Sequence, residues 1–292
     1  MTPTNLQTTV PPRRPVLLVN PRSGGGKAAR AGLVEQARER GIDVIVAGRD
    51  RALAALVDEA VASGADALGV AGGDGSLAVV AAAARAQDLP FVCVPAGTRN
   101  HFALDLGVDR HDLLGSLDAF TDGVERRIDV AEVNGRLFLN NVSLGIYGDA
   151  VRQPTYRDAK ALTLLETAAR ALGPSASATD LTLVDDEGHL HLDPAVLLVS
   201  NNPYSLERPQ TPRMRPTLAG GQLGVILLDT PRPGRSPGRT WTAAELEITA
   251  PGPVHAGIDG EAVDLTPPLR FMIRPAALRV RVPPRDADAK PQ

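Results

Sequence analysis

A chain of 292 residues is too long for one ordinary small domain and about right for two, and its 43% of hydrophobic residues can fill substantial cores. A formal net charge of −3 excludes a nucleic-acid protein whose whole surface is basic, while leaving local basic patches open. The single cysteine, Cys93, excludes an internal disulfide framework, and its place in the apolar run Phe91–Val94 marks a buried structural thiol of a reducing compartment rather than a nucleophile.

Residues 1–15 are polar and proline-bearing and lack the apolar core of a signal peptide, and no apolar run approaches bilayer-spanning length. The expectation is a cytoplasmic protein whose membrane contact is peripheral. From residue 16 strand and helix patterns alternate. Strands are predicted at 16–19, 43–47, 67–71 and 91–94, followed by Ala-, Leu- and Arg-rich helical segments at 27–40, 51–63, 77–87 and, after a longer loop, 111–120. Such alternation signals βαβ units around a parallel sheet, an α/β domain over 14–124. Near Glu125 the grammar changes. Strands at 128–133 and 137–142 flank Asn134-Gly135, a strong two-residue hairpin signal, and a second hairpin is readable at 181–184 and 189–192. Further short strands are predicted at 196–200, 223–228, 245–249, 263–265, 269–273 and 278–282, with one helix-like insert at 158–172, giving an antiparallel second domain over 125–284. The remaining ends, 1–13 and 285–292, read as disordered tails.

Three predicted strands run into glycine-bearing loops. They are Asn20-Pro21-Arg22-Ser23-Gly24-Gly25-Gly26, Gly72-Gly73-Asp74-Gly75-Ser76 and Pro95-Ala96-Gly97-Thr98-Arg99-Asn100. In the second, glycines 72, 73 and 75 permit φ > 0 and close backbone approach, so that successive N–H groups can converge on an anion. A helix expected to start at Ser76 adds its positive end, with the Ser76 hydroxyl as N-cap or phosphate donor. Asp74 would repel a phosphate unless it holds a cation or positions a donor, which suggests Mg²⁺-linked phosphate chemistry; the plain alternative is a tight turn. Loops at the ends of parallel strands can meet on one edge of the sheet, where open α/β sheets bind ligands.

Other motifs are weaker. Lys27 after three glycines invites a Walker A reading, which fails because Pro21 and Ala28 stand where Gly and Ser or Thr are required. Dinucleotide-fingerprint and protein-kinase readings fail on spacing and on the lack of a catalytic-loop motif. Asp259-Gly260-Glu261 places two carboxylates around a glycine, and alone is ordinary turn chemistry. His189 and His191 share a strand face without a third ligand, so a solvated hairpin outweighs a metal site; His101, beside Asn100, is the histidine nearest to chemistry. The segment 204–241 carries Arg208, Arg213, Arg215, Arg232, Arg235 and Arg239 with few acids, and reads as solvated loops or as a contact with anionic lipid headgroups.

With these residues in place, the chain resembles the diacylglycerol kinase catalytic-domain family, which includes bacterial lipid kinases, sphingosine kinases and ceramide kinases. The first loop is similar to the family's first nucleotide loop, the second to its GGDG[TS] motif and the third to its P-x-G-T-x-N motif, continued by Phe102-Ala103 and Leu106-Gly107. Asn140-Asn141-Val142-Ser143-Leu144-Gly145, Ser200-Asn201-Asn202-Pro203-Tyr204 and Asp259-Gly260-Glu261 follow in family order. The resemblance implies a phosphofructokinase- and NAD-kinase-like α/β nucleotide domain followed by an antiparallel β-sandwich, ATP and Mg²⁺ as cofactors, and a diacylglycerol-like or sphingoid-like lipid hydroxyl at the membrane surface as acceptor. It assigns Glu261 as general base, Asp74 to nucleotide and metal positioning, and nucleotide contacts to Asn20, Arg22, Ser23, Gly24, Gly72, Gly73, Gly75, Ser76, Gly97, Thr98, Asn100 and Asp259. Nucleic acid is not among the expected partners, and a homodimer is left open.

Two departures from the family pattern are visible. His101 follows Asn100 where many bacterial members have Asp, and Ala219-Gly220-Gly221-Gln222-Leu223-Gly224 stands where many carry an acidic stretch that holds a structural Mg²⁺. An accessory metal is therefore not expected. Rival readings are an NAD kinase, against which stands the lack of a TPTGSTAY-like segment, and a catalytically degenerate member that binds nucleotide or lipid without turnover.

Overall fold

The structure is a computed structural model, described here for residues 7–8, 10–48, 50–145, 180–205, 215–228 and 238–286. The chain divides into two compact units, one comprising 1–130, 205–220 and 275–292, the other 131–204 and 221–274.

The first unit is built on a parallel sheet in the spatial order Asp43–Val46, Pro15–Val19, Ala67–Ala71, Phe91–Val94 and the end of Leu269–Val282. Every residue of Pro15–Val19, Ala67–Ala71 and Phe91–Val94 is buried, which is why these strands read as unbroken apolar runs rather than as alternating ones. Leu17, Val19, Ala71, Val92 and Val94 share a core with Leu33, Ala37, Leu117 and Phe120. Gly69 makes room for that core, because a Cβ there would lie 2.3 Å from the Phe120 ring. Helices Leu53–Ala62 and Asp74–Ala86 bury stripes at Leu56, Val57 and Ala60 and at Leu77, Val80, Ala81 and Ala84, the i, i+3, i+4 spacing of an amphipathic helix. Cys93 is buried and unbonded, and burial together with the nearby Asp74 charge pushes its thiol pKa up, as befits a structural residue.

Several helix expectations need correction. The helix expected over 27–40 is two, Lys27–Arg30 and Leu33–Glu39, interrupted where Gly32 turns left-handed at φ 62°. The helix expected over 111–120 is only a short 3-10 turn, Gly115–Leu117, and a single α turn, Asp118–Thr121. There the Asp109 and Asp112 side chains accept the backbone N–H groups of His111 and Gly115, competing with helical bonds. A short helix, His101–Asp105, stands where a loop was expected.

The second unit is antiparallel. One sheet has the order Gly238–Ala243, Leu223–Leu228, Val196–Asn201, Asn141–Gly145, Val254–Ile258, Glu261–Leu265. Strands Leu190–Leu192, Thr182–Val184 and Glu245–Thr249 and the start of Leu269–Val282 pair in that order in another sheet. Phe138, Leu183, Ile248 and Phe271 share a core with Val142, Leu197, Val225 and Ile258 of the first of these sheets, the signature of a sandwich. The Asn134-Gly135 hairpin forms with φ 49° and 79°, pairing Val133 with Arg136, as a primed two-residue turn requires. Strands expected separately at 269–273 and 278–282 are one, Leu269–Val282, with Ala276 just after Pro275 at φ 49°. Gly238–Ala243 and Val254–Ile258 are strands that the sequence pattern does not reveal. The expected insert at 158–172 lies outside the described residues. Within stretches expected to be tails, Gln7–Thr8 pairs with Val124 and Glu125, and Pro284–Asp286 forms a turn with Asp286 buried. Among the described residues no helix is long and apolar enough to cross a membrane.

Candidate functional site

Pro15–Val19 is flanked by the next two strands of the chain, Asp43–Val46 on one side and Ala67–Ala71 on the other. The winding therefore reverses between Pro15–Val19 and Ala67–Ala71. Connections leave the two strands in opposite directions there, opening the crevice in which open α/β sheets bind ligands. The first glycine loop leaves one of these strands and the second leaves the other. The third leaves Phe91–Val94, the neighbour of Ala67–Ala71.

Hydrogen bonds and close backbone approach join the loops. The Asn20 backbone N–H donates to the Ala71 carbonyl at 2.9 Å, its side-chain Oδ1 accepts from the Arg22 N–H at 3.1 Å, and its Nδ2 reaches Ser76 Oγ at 3.5 Å. The Ser23 N–H closes the turn onto the Asn20 carbonyl at 3.2 Å. A Cβ on Gly24 would lie 2.4 Å from the Ala96 carbonyl oxygen, and one on Gly97 would lie 2.7 Å from Gly73 Cα and 3.1 Å from the Gly72 oxygen. Glycine is thus required where loop one meets loop three and where loop three meets loop two. The left-handed backbone expected in the second loop lies instead in the first, at Gly24, Gly25 and Gly26 with φ 56°, 65° and 86°. Gly73 is extended at φ −90° and is itself the N-cap of Asp74–Ala86, which corrects the expected start at Ser76. Gly72 is needed for space, since a Cβ there would sit 2.7 Å from that of Ser76. Gly75 and Ser76 lie in the first helical turn, so the positive end of the helix falls at this loop.

Two buried oxygens here lack a partner among the described residues, Asp74 Oδ1 and Asn100 Oδ1. Asn100 is 3% exposed and held left-handed at φ 52°, its Nδ2 donating to the Pro95 carbonyl at 3.1 Å and to that of Gly97 at 2.9 Å. Both amide hydrogens are used and the oxygen is left over. A buried acceptor without a donor is costly, and two of them suit a ligand that brings a cation or a donor. Thr98 and Arg22 are exposed. His101 keeps an exposed face, yet desolvation pulls its pKa below the ordinary histidine value against the opposing pull of Asp74 and Asp105.

In the second unit the later motifs converge on the backbone of 139–141. Asp259, at φ 49° in the turn before Glu261–Leu265, accepts the N–H groups of Leu139 (2.9 Å), Asn140 (2.7 Å) and Asn141 (3.2 Å). Asn201 Nδ2 donates to the Leu139 carbonyl at 3.2 Å, and Asn141 Nδ2 donates to the Tyr204 hydroxyl at 3.0 Å. Glu261 opens its strand opposite Ile258 and is exposed.

The arginine-rich segment divides differently from either expectation. Arg215 is 0% exposed and binds Asp105, so it is neither a solvated-loop residue nor a headgroup contact. Arg239 lies on strand Gly238–Ala243, pairs with Asp186 at 2.7 Å and Glu187 at 3.0 Å, and stacks over Trp241 at 5.9 Å. Arg208, Arg213, Arg232 and Arg235 lie outside the described residues.

The family model for the diacylglycerol kinase catalytic domain matches residues 14–133. A Pseudomonas aeruginosa (strain PAO1) protein named "Probable lipid kinase YegS-like" is 31% identical over 300 residues, covering 92% of this chain and 94% of that protein. The chain belongs to the diacylglycerol kinase catalytic-domain family. A Mycobacterium tuberculosis (strain H37Rv) "Diacylglycerol kinase" is 35% identical to this family member over 120 residues, so the match spans 40% of this chain and only 39% of that relative. A crystal structure of a diacylglycerol kinase from Bacillus anthracis (strain Sterne) superposes with a TM-score of 0.67 at 16% identity, covering 95% of this chain and 99% of that one, which shows a shared fold.

Proposed function

We propose that this family member is an ATP- and Mg²⁺-dependent lipid kinase that phosphorylates a hydroxyl of a diacylglycerol-like or sphingoid-like lipid, working in the cytoplasm with peripheral contact to the membrane. The observation that carries the reading is the pair of glycine loops at the reversal of the sheet, with the unpartnered Asp74 Oδ1 in the first turn of the helix behind them. Space supports it as well, because a Cβ on Gly73 would meet no protein atom within 4 Å.

In this reading the N–H groups of Gly72–Ser76 and Gly97–Thr98 hold phosphate oxygens, and the Asn20–Gly24 turn and Asn100 border them. Asp74 fits a hard cation, which takes one or two carboxylates and phosphate oxygens, and Mg²⁺ held there would neutralise phosphate charge. Glu261 takes the proton of the acceptor hydroxyl, a role that rests on its match to the family motif. Asp259 supports the turn that carries Glu261.

The test is ATP consumption with and without a whole-lipid extract, with products identified by mass spectrometry. Lipid-dependent consumption and a phosphorylated lipid support the proposal. Consumption with NAD in place of lipid would make the chain an NAD kinase, and tight ATP binding without turnover under any acceptor would make it a binding protein.

A further inference from the structure

Lys27 follows the first glycine run, where a phosphate-binding lysine would be sought, but its ammonium is engaged elsewhere. Nζ donates to the Pro95 carbonyl at 3.1 Å and to the Arg110 carbonyl at 2.6 Å. The Pro95 carbonyl also accepts Asn100 Nδ2 at 3.1 Å, so one oxygen joins the first helical residue after loop one to the last residue of loop three. Arg110 lies just beyond the helix His101–Asp105, and the ammonium therefore brackets the chain from the start of loop three to the turn that follows it. Backbone contact runs alongside, with Gly24 against Ala96. An ammonium has three donors, and two are committed to carbonyls that secondary structure leaves unpaired. Partial burial pulls the Lys27 pKa below the ordinary lysine value, countered by Asp109.

We propose that Lys27 is a positioning residue that pins the third glycine loop against the first through the Pro95 and Arg110 carbonyls, and so sets the spacing of the phosphate cradle without itself being a phosphate ligand. The inference deepens the nucleotide reading given above and rests on it. Loop three carries both Gly97, packed on Gly73, and the unpartnered Asn100 oxygen, so releasing its first residue moves groups on both sides of the cradle. A displacement of about 1 Å is enough to cost a positioned site heavily.

The test compares Lys27→Met, which keeps the length and removes the donors, with Lys27→Arg, which keeps donors and charge, in the full chain. Without nucleotide, amide hydrogen exchange at Ala96 and Leu104, whose N–H groups bond the Val94 carbonyl at 2.8 Å and the Asn100 carbonyl at 3.2 Å at the two ends of loop three, should accelerate about tenfold or more in Lys27→Met, while the Leu56–Ala60 and Val80–Ala84 amides keep their protection. With ATP·Mg²⁺ and the lipid acceptor, KM for ATP should rise about tenfold and kcat should change less than about threefold, because the lost order is restored on binding. Lys27→Arg should stay within about threefold of the parent on both counts. Unchanged exchange with weakened ATP binding would make Lys27 a direct phosphate ligand and overturn the proposal. Uniformly faster exchange across the unit would make it a residue of general stability and overturn it too. If the parent protein neither binds nor consumes ATP, the nucleotide reading falls and takes the cradle role of Lys27 with it, even if exchange shows loop three pinned.

Discussion

Replacing Arg215 by methionine should destabilise the first unit by about 3–5 kcal/mol, the range for breaking a buried pair from one side. Asp105 Oδ2 accepts from Arg215 Nε at 2.8 Å and Nη2 at 2.5 Å, and Oδ1 accepts from the Arg215 backbone N–H at 3.0 Å. Methionine keeps the backbone bond and most of the packing volume but removes both guanidinium donors. Asp105 is only 8% exposed, so water cannot replace them and a charge is left nearly uncompensated. Arg51→Gln is the control, because the Arg51–Glu59 pair has side chains 55% and 58% exposed and should be worth about 0–1 kcal/mol. At about 2–4 °C per kcal/mol for a unit of this size, the thermal midpoint should fall by roughly 6–20 °C in Arg215→Met and hardly move in Arg51→Gln. Hydrogen exchange at Phe102–Leu106 shows whether the loss is local to the helix that Asp105 ends. The double variant Asp105→Leu, Arg215→Met should be clearly more stable than the sum of the single losses. The reasoning fails if Arg215→Met lies within about 1 kcal/mol of the parent, or if the double variant is as poor as the sum.

Gly97→Ala and Gly73→Ala should part company. The first puts a methyl 2.7 Å from Gly73 Cα and 2.8 Å from Asn100 Oδ1 and should cost about 1–3 kcal/mol, read from the unfolding midpoint. The second meets no protein atom and has φ −90°, so stability should hold within about 0.5 kcal/mol while ATP affinity by calorimetry falls about tenfold. Unchanged affinity in Gly73→Ala would remove the second loop from phosphate binding. Asp74→Asn should unfold with the parent and lose at least about a hundredfold in turnover, and activity within a few-fold would take Asp74 out of the mechanism. Glu261→Gln should bind ATP normally and turn over about 10²–10⁴-fold more slowly; equal loss of ATP affinity would show a role in binding instead.

Legibility follows local pattern rather than burial alone, since Asp43–Val46 is legible with none of its residues buried while Val254–Ile258, with four of five buried, is not. Strands buried on both faces and hairpins closed by Asn-Gly announce themselves, because neither depends on a distant partner. Gly238–Ala243 does not, since only Trp241 of its six residues is buried and the remainder carry no periodic signal. The stretch 111–120 misleads for the opposite reason. Its composition suits a helix, and local aspartate side chains take the N–H groups that a helix needs.

The glycine loops show the same division at the site. That loops 20–26, 72–76 and 95–100 are the candidates to bear chemistry is visible in their residue types, whereas the reason for each glycine is not. A glycine needed for left-handed backbone and one needed for space look alike in sequence, and here Gly25 and Gly26 are of the first kind, Gly72 and Gly97 of the second, and Gly24 of both. Cations are harder still. Lys27 and Arg215 stand in stretches that invite phosphate or headgroup readings, but their partners lie 68, 83 and 110 residues away along the chain. A local motif can say that a positive charge is present; only the fold decides whether it faces a ligand or is consumed in holding the loops that do. By that criterion Lys27 and Arg215 are spoken for while Arg22 stays exposed in loop one, so in the proposed cradle the backbone N–H groups and Arg22 are the donors left for phosphate, and loss of the Lys27 or Arg215 charge should act through the loops rather than through a lost phosphate contact.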